Sequence, residues 1–163
     1  MCCITADQYR CNLFVDGFAQ WFGSTLFLLI HLPYQKIHGG FGNDINLLTW
    51  DGALNASLQQ IQQTYPYIRL VVMTPAFGQF EDSDGKLING DTEDFGNGVL
   101  PDYVLHEIDV AMGNGVSVLD HYYGTVNEDD AETCLTDGYH LNKQGRERVA
   151  DRFAREIFNV GKE

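Results

Sequence analysis

Apolar residues recur with helical spacing in three segments of the chain. Their spacing of three or four residues is typical of amphipathic helices with one buried face. In chain order, the three stripes are Leu54, Leu58, Ile61 and Tyr65; Val104, Ile108 and Met112; and Val149, Phe153 and Ile157. Pro101 suits the first turn of the second helix, on which we expect His106 to be solvated. Asn142 is a candidate cap for the third helix, which we expect to end near Phe158.

Short apolar runs between these helices predict buried strands. "IRLVVM" at 68–73 is rich in β-branched residues and is followed by Thr74-Pro75, and "VSVLD" occupies 116–120. Within the first 40 residues, "CNLFVDGF" and "TLFLLIHL" are further strand candidates, although no amphipathic helix joins them. Strands that alternate with helices predict an α/β fold in which helices cover a parallel sheet.

The segment 78–98 breaks this alternation. It is acidic and rich in glycine, and it is too polar to form part of a core. We expect a long surface loop here, of the kind that often carries function.

Composition narrows the classes of partner. The chain of 163 residues has a formal net charge of -13. Binding to nucleic acid is therefore not expected, because neutralising phosphates requires clustered Lys and Arg. A neutral, cationic or apolar ligand suits this charge better, although high negative charge also serves solubility alone.

The cysteines and one long uncharged segment bear on location. Cys2, Cys3, Cys11 and Cys134 follow no metal-binding or disulfide spacing, which favours free thiols in a reducing compartment. The segment 18–35 has no charged residue, but polar residues interrupt it and it is short for a membrane span. A buried strand is favoured there over a signal anchor. We expect a cytoplasmic protein without a stable membrane span, with secretion or surface display as the alternative.

Candidate chemistry lies in the loop before the last helix. Asp137 and His140 are three residues apart, so the carboxylate can reach Nδ1 of the ring in a tight turn. It would then fix the tautomer and leave Nε2 as a general base. Polar residues at an ordinary helix entrance are the alternative explanation. In open α/β sheets, sites form at the carboxyl ends of strands, where Thr74, Asp120 and His121 are also expected.

Three segments together, "VVMTPAFGQF", "GVSVLDHYY" and "DGYHLNKQGRERVADRFAREI", resemble the SGNH or GDSL-type hydrolase family. The resemblance covers approximately 41–160 and implies one domain over 1–163, with 1–40 divergent or truncated. It implies a flavodoxin-like, three-layer α/β/α fold with a parallel sheet, incomplete at its N-terminal part. The implied activity is serine-type hydrolysis of an acyl, acetyl or glycan-linked ester, without a cofactor.

The resemblance also assigns roles to residues. Asp137 is the orienting acid and His140 is the base. "FGND" at 41–44 matches the family's Gly-x-Asn-Asp, except that Phe41 replaces the glycine, and Asn43 is then the oxyanion donor. A turn without catalytic function is the alternative for this segment.

The nucleophile is the weak part of the match, because the chain contains no Gly-Asp-Ser. Ser24 is the candidate, since it alone among the serines precedes Asn43. Ser57 lies on a predicted helix, Ser83 in the acidic loop and Ser117 in a predicted buried strand. Ser24 is, however, too close to Asn43 for the two βα units that the family places between them.

Two alternatives to a serine esterase therefore remain. One is a degenerate, non-catalytic member of the same fold. The other is a divalent cation held by Asp120, His121, Asp137 and His140. An incomplete sheet would also expose a strand edge, which favours formation of an oligomer.

Overall fold

A computed structural model describes residues 16–22, 25–31, 41, 46–47, 49–81, 84–94 and 98–160 of the protein. It contains six strands: β1 (Asp16–Phe22), β2 (Thr25–His31), β3 (Arg69–Met73), β4 (Gln79–Glu81), β5 (Leu87–Asn89) and β6 (Ser117–Leu119). The helices are α1 (Trp50–Thr64), α2 (Leu100–Gly113), α3 (Ala131–Cys134) and α4 (Lys143–Val160), and a 3-10 turn at Glu128–Asp130 precedes α3. Every helix and buried strand predicted after residue 50 is present.

The main sheet is parallel in its centre and antiparallel at one edge. Its strand order is β1-β2-β3-β6, with β2, β3 and β6 parallel, which confirms the predicted α/β class. The first strand departs from the parallel arrangement, because β1 pairs antiparallel with β2 to form a hairpin. A hairpin needs no crossover helix, which explains why no amphipathic stretch separates these two strands.

Helices cover both faces of this sheet. Alternate side chains of a strand point to opposite faces, so Leu70 and Val72 of β3 join a cluster with residues of α1 and α2. Val71 packs on the other face together with Leu119 and with Phe153 of α4. The arrangement is the expected three-layer one, and both helix layers lie against the strand with the most continuous apolar run.

Two positions that were predicted to be buried are exposed. Met112 is 67% exposed, because α2 buries Leu100, Tyr103, Val104, Glu107 and Val110 instead. Ser117 is exposed rather than buried, since β6 is the end strand of the sheet among the described residues. Both errors arise where the sequence pattern cannot show which side of an element is covered.

The acidic segment is more ordered than a surface loop. Strands β4 and β5 pair antiparallel within it, with Gln79 opposite Asn89. Phe77, just before β4, is 1% exposed and packs with Val126, Cys134 and Leu135. This acidic segment lies against the loop that carries Asp137 and His140. In the part of the chain that is described, no helix is long and apolar enough to cross a membrane.

Candidate active site

Asp137 and His140 lie in a short loop closed by backbone pairing. The loop joins α3 to α4, and Leu135 forms an antiparallel bridge with Leu141 at its base. Within it, the Thr136 N–H donates to the carbonyl of His140 over 2.8 Å. The acid and the base are thus held on one closed turn.

The acid contacts the base through both of its oxygens. Asp137 Oδ2 lies 2.8 Å from His140 Nδ1, and Oδ1 accepts the backbone N–H of His140 over 2.7 Å. Oδ1 also accepts the Tyr139 N–H over 3.1 Å. These contacts stabilise the charged carboxylate and lower the pKa of Asp137 to about 2, with the backbone N–H of His140 as the largest cause.

Gly138 gives this turn its shape. Its φ of 82° is in the left-handed region, which residues other than glycine rarely adopt. A Cβ at this position would also lie 2.7 Å from Gln79 Oε1. The Gln79 N–H donates to the carbonyl of Gly138 over 2.7 Å, so β4 supports the turn from outside.

Asn142 fixes the other end of the loop at the start of α4. Its Oδ1 accepts the N–H of Gly145, and its side-chain amide donates to the carbonyl of Thr133 over 2.8 Å. The predicted cap is therefore confirmed. The loop is therefore a capped helix entrance, and it also carries the contact between Asp137 and His140.

The resulting geometry suits general base chemistry. With its hydrogen on Nδ1, the His140 ring donates to Asp137 and leaves Nε2 to take up a proton. The His140 side chain is 73% exposed and that of Asp137 is 54% exposed, so an external reactant can reach the ring. Tyr139 packs its ring against the His140 ring, with centroids 5.1 Å apart.

A buried network joins the carboxyl ends of β3 and β6. The Thr74 hydroxyl donates to Asp120 Oδ1 over 2.9 Å and accepts the N–H groups of His121 and Tyr122. His121 is 4% exposed, and its Nδ1 lies 3.1 Å from the Thr125 hydroxyl. The residues expected at the carboxyl ends of β3 and β6 therefore connect these two strands.

Three tyrosines lie close in sequence to these groups: Tyr122 and Tyr123 follow β6, and Tyr139 lies between Asp137 and His140. Tyr122 is buried and donates to Asp91 Oδ1 over 2.6 Å, and burial raises the pKa of its hydroxyl. Tyr123 and Tyr139 are 56% and 44% exposed. These two side chains are therefore accessible to solvent, whereas that of Tyr122 is not.

The structure leaves the nucleophile and the oxyanion donor untested. Ser24, Asn43 and Ser83 lie outside the described residues. Ser57 is on α1, where its hydroxyl donates to the carbonyl of Ala53. Among the described serines, neither Ser57 nor Ser117 hydrogen-bonds with His140.

The four residues considered for a divalent cation do not form a metal site. No group of three or more His, Cys, Asp or Glu side chains is placed to hold a metal ion in the described ranges. Asp120 and His121 instead serve the network at the strand ends, apart from the Asp137–His140 turn.

A second aspartate–histidine pair escaped prediction. His106 is not simply solvated: its Nδ1 lies 2.9 Å from Oδ2 of Asp51, a residue on α1 whose side chain is 1% exposed. The two residues are 55 positions apart, so no local sequence motif predicts their contact. Glu107, the residue after His106, is 1% exposed. Its burial could have been predicted, because it lies on the apolar face of α2.

Comparison with known proteins bears on the fold. No protein-family profile and no curated protein matches the chain. Among solved structures, a possible lipase from Chitinophaga pinensis has a TM-score of 0.67 and 12% identity, over 85% of this chain and 75% of its own. A protein from Lactobacillus plantarum has a TM-score of 0.67 and 18% identity, over 82% of this chain and 66% of its own.

A third similar structure is a peptidoglycan O-acetylesterase. Its TM-score is 0.58 and its identity 11%, over 82% of this chain and 37% of its own. The chain thus spans about two thirds of the Lactobacillus protein and little over a third of the O-acetylesterase. At such identities the likeness shows that these proteins share an α/β fold.

Proposed function

We propose that the chain is a serine-type ester hydrolase of the SGNH type, acting on an acyl or acetyl ester of a small molecule or a glycan. The observation that carries the proposal is the closed turn in which Asp137 holds Nδ1 of an exposed His140. The α/β fold shared with a possible lipase and a peptidoglycan O-acetylesterase supports it.

In the proposed first half-reaction, His140 Nε2 takes the proton of the nucleophile's hydroxyl as its oxygen attacks the ester carbonyl. Asp137 accepts the Nδ1–H and stabilises the imidazolium that forms. Collapse of the tetrahedral intermediate breaks the bond to the alcohol, which leaves with the proton from Nε2. The acyl group stays on the nucleophile, and we assign that role to Ser24.

The second half-reaction repeats these steps with water. His140 removes a proton from water, the hydroxide attacks the acyl-enzyme, and the carboxylic acid leaves as the serine regains its proton. Asn43 is the proposed donor to the oxyanion in both halves. A donor of this kind contributes about 3 kcal/mol of transition-state stabilisation.

A fluorophosphonate probe tests the proposal directly. The probe should label one serine of the wild-type protein, and His140→Ala should abolish both the labelling and ester hydrolysis. Peptide mass spectrometry should place the label on Ser24. The matched control is Lys143→Ala, an exposed residue at the start of α4 whose pairing with Glu147 spans 3.8 Å; it should label like wild type.

The outcomes separate the parts of the proposal. A label on Ser57, Ser83 or Ser117 would refute the assignment of Ser24 and keep the hydrolase. Labelling that survives His140→Ala would refute the role of the Asp137–His140 turn.

A folded wild-type protein without labelling or hydrolysis would instead support a second candidate, a non-catalytic protein of this fold. The specific observation in its favour is that no Gly-Asp-Ser occurs in the sequence. Such a protein would bind its ligand through exposed side chains, among them Tyr123 and Tyr139.

We also propose that the protomer forms an oligomer through a sheet edge. Three of the four described strands of the main sheet are parallel, and β1 and β6 are at the ends of that described order. Size-exclusion chromatography with light scattering tests this, and a monomer at micromolar concentration would refute it.

A further inference from the structure

The hairpin formed by β4 and β5 is anchored to the fold on the side of β5. Asn89 of β5 donates to Glu128 Oε1 over 2.5 Å, in the 3-10 turn before α3. Asp91, just after β5, accepts the hydroxyl of the buried Tyr122 over 2.6 Å. These contacts fix the hairpin independently of the Asp137–His140 turn.

The outer edge of β4 faces that turn. The Gly90 N–H donates to the carbonyl of Gly78 over 3.1 Å, so these two residues form a hydrogen-bonded pair of the hairpin. Hydrogen-bonded and non-bonded pairs alternate along an antiparallel ladder, which makes the next pair, Gln79 and Asn89, a non-bonded one. The N–H of Gln79 therefore points away from β5, and it donates to the carbonyl of Gly138 over 2.7 Å.

This contact fixes one peptide unit between the acid and the base. The carbonyl of Gly138 and the N–H of Tyr139 belong to the same planar peptide unit. Its carbonyl accepts from Gln79, and its N–H donates to Asp137 Oδ1 over 3.1 Å. A rotation of this peptide would break both bonds, and the next residue along the chain is His140.

We propose that the β4–β5 hairpin is a positioning element for ester hydrolysis: through the N–H of Gln79 it fixes the peptide between Gly138 and Tyr139, and with it the direction of the His140 ring. This inference rests on the proposed function, in which His140 is the general base. The acidic segment then belongs to the active site, although none of the residues in the hairpin reacts.

The expected signature is kinetic. A general base acts on a proton that moves in the transition state, so its displacement lowers kcat and leaves KM nearly unchanged. A hairpin that only stabilised the fold would lower the melting temperature without changing kcat at temperatures where the protein is folded.

Gln79→Pro removes the donor and spares the hairpin. Gln79 is the first residue of β4, a position at which a strand tolerates proline, and Gly78 before it has no Cβ to clash with the ring. We expect kcat to fall by roughly tenfold to a hundredfold, with KM within about twofold. Gln79→Ala keeps the N–H and should retain most of the activity.

Leu87→Pro is the matched control. Leu87 is the first residue of β5 and lies opposite Glu81, two positions along the ladder from the pair of Gln79 and Asn89. This pair is also a non-bonded one, so proline at Leu87 breaks no hydrogen bond between β4 and β5. Its kcat and KM should equal those of wild type.

Hydrogen exchange gives a readout that does not depend on turnover. In wild type, the amide of Gln79 should exchange at least about tenfold more slowly than an amide open to solvent, because it is hydrogen-bonded to Gly138. In Gln79→Pro, the amides of Thr136, Tyr139 and His140 should exchange faster than in wild type or in Leu87→Pro.

The outcomes separate the contact, its role and the proposed function. An unprotected Gln79 amide in wild type would overturn the contact, even if Gln79→Pro failed to fold. An active wild type in which Gln79→Pro and Leu87→Pro have the same kcat would overturn the positioning role. A loss of activity in Gln79→Ala equal to that in Gln79→Pro would overturn the assignment to the N–H group. A wild type with a protected Gln79 amide but without hydrolysis or labelling would refute the proposed function and leave the contact standing.

Discussion

Two aspartate–histidine pairs in the described part of the chain use the same atoms in opposite settings. In the Asp137–His140 pair both side chains are more than half exposed, and only two residues of one loop lie between them. In the Asp51–His106 pair the carboxylate is 1% exposed, and two helices bring the partners together. The first pair is open to a reactant, whereas the second is placed to hold two elements in register.

The difference shows how environment assigns a role to one chemical pairing. An exposed ion pair contributes little to stability, because water screens it, but its histidine can exchange protons with a ligand. A buried carboxylate raises the cost of separating the pair and makes the contact rigid. We therefore expect the exposed pair to control rate and the buried pair to control stability and position.

Asp137→Asn should give the largest effect. The amide keeps the size of the carboxyl group but presents a donor to Nδ1, so the ring adopts the wrong tautomer. We expect kcat to fall by about 10³- to 10⁴-fold, as found for serine hydrolases with this change. The melting temperature should stay that of wild type. A loss of stability equal to that of the buried-pair variants would contradict the contrast between the two sites.

Asp51→Ala should give the largest change in stability of the two pairs. It removes a buried hydrogen-bond partner of His106 and leaves a space at the first turn of α1. We expect the free energy of unfolding to fall by about 2 kcal/mol in urea titration. Asp137→Ala is the matched control and should leave the urea midpoint unchanged; equal midpoints for the two variants would refute the assignment of roles.

Glu107 extends the comparison to a buried carboxyl group whose Oε1 accepts no hydrogen bond from the described residues. Burial raises the pKa of Glu107 well above its ordinary value of 4.5, and the nearby Asp120 raises it further. The folded state thus holds a proton that the unfolded state loses. Stability is fully present below pH 4.5 and declines as the pH rises through the raised pKa.

Glu107→Gln should therefore make the protein more stable at neutral pH. The advantage should disappear at pH 4, where the carboxyl group is protonated in both states. Urea titration at several pH values measures this, and a constant difference between the two proteins across that range would refute it.

Acid titration of Asp137 should give the smallest effect. Its lowered pKa means that the contacts with His140 and Tyr139 are fully present above about pH 4 and are lost as the pH falls to about 2. The backbone amide resonances of Tyr139 and His140 should shift with that midpoint in NMR spectra, without global unfolding. A midpoint near pH 4 would show that the closed turn is not populated in solution.

Most of the parallel core could be predicted from local pattern. The apolar runs of β3 and β6 and the stripes of α1 and α4 follow from burial on one or both faces. The Asp137–His140 pair was also predictable, because its geometry forms within four residues of one turn.

Other features depend on contacts that no short segment encodes. The exposure of Met112 follows from which side of α2 is covered by the rest of the molecule. The Asp51–His106 pair needs α1 and α2 to be packed first. The roles of Ser24 and Asn43 stay predictions, since both residues lie outside the described ranges.

The edge hairpin has a consequence for the order of folding. β1 and β2 are neighbours in sequence, so their pairing closes a very small loop and can form within microseconds. The pairing of β2 with β3 spans the whole of α1 and must form more slowly. We expect the hairpin to present β2 as a preformed template, and the slower pairing of β2 with β3 to set the rate at which the parallel sheet assembles.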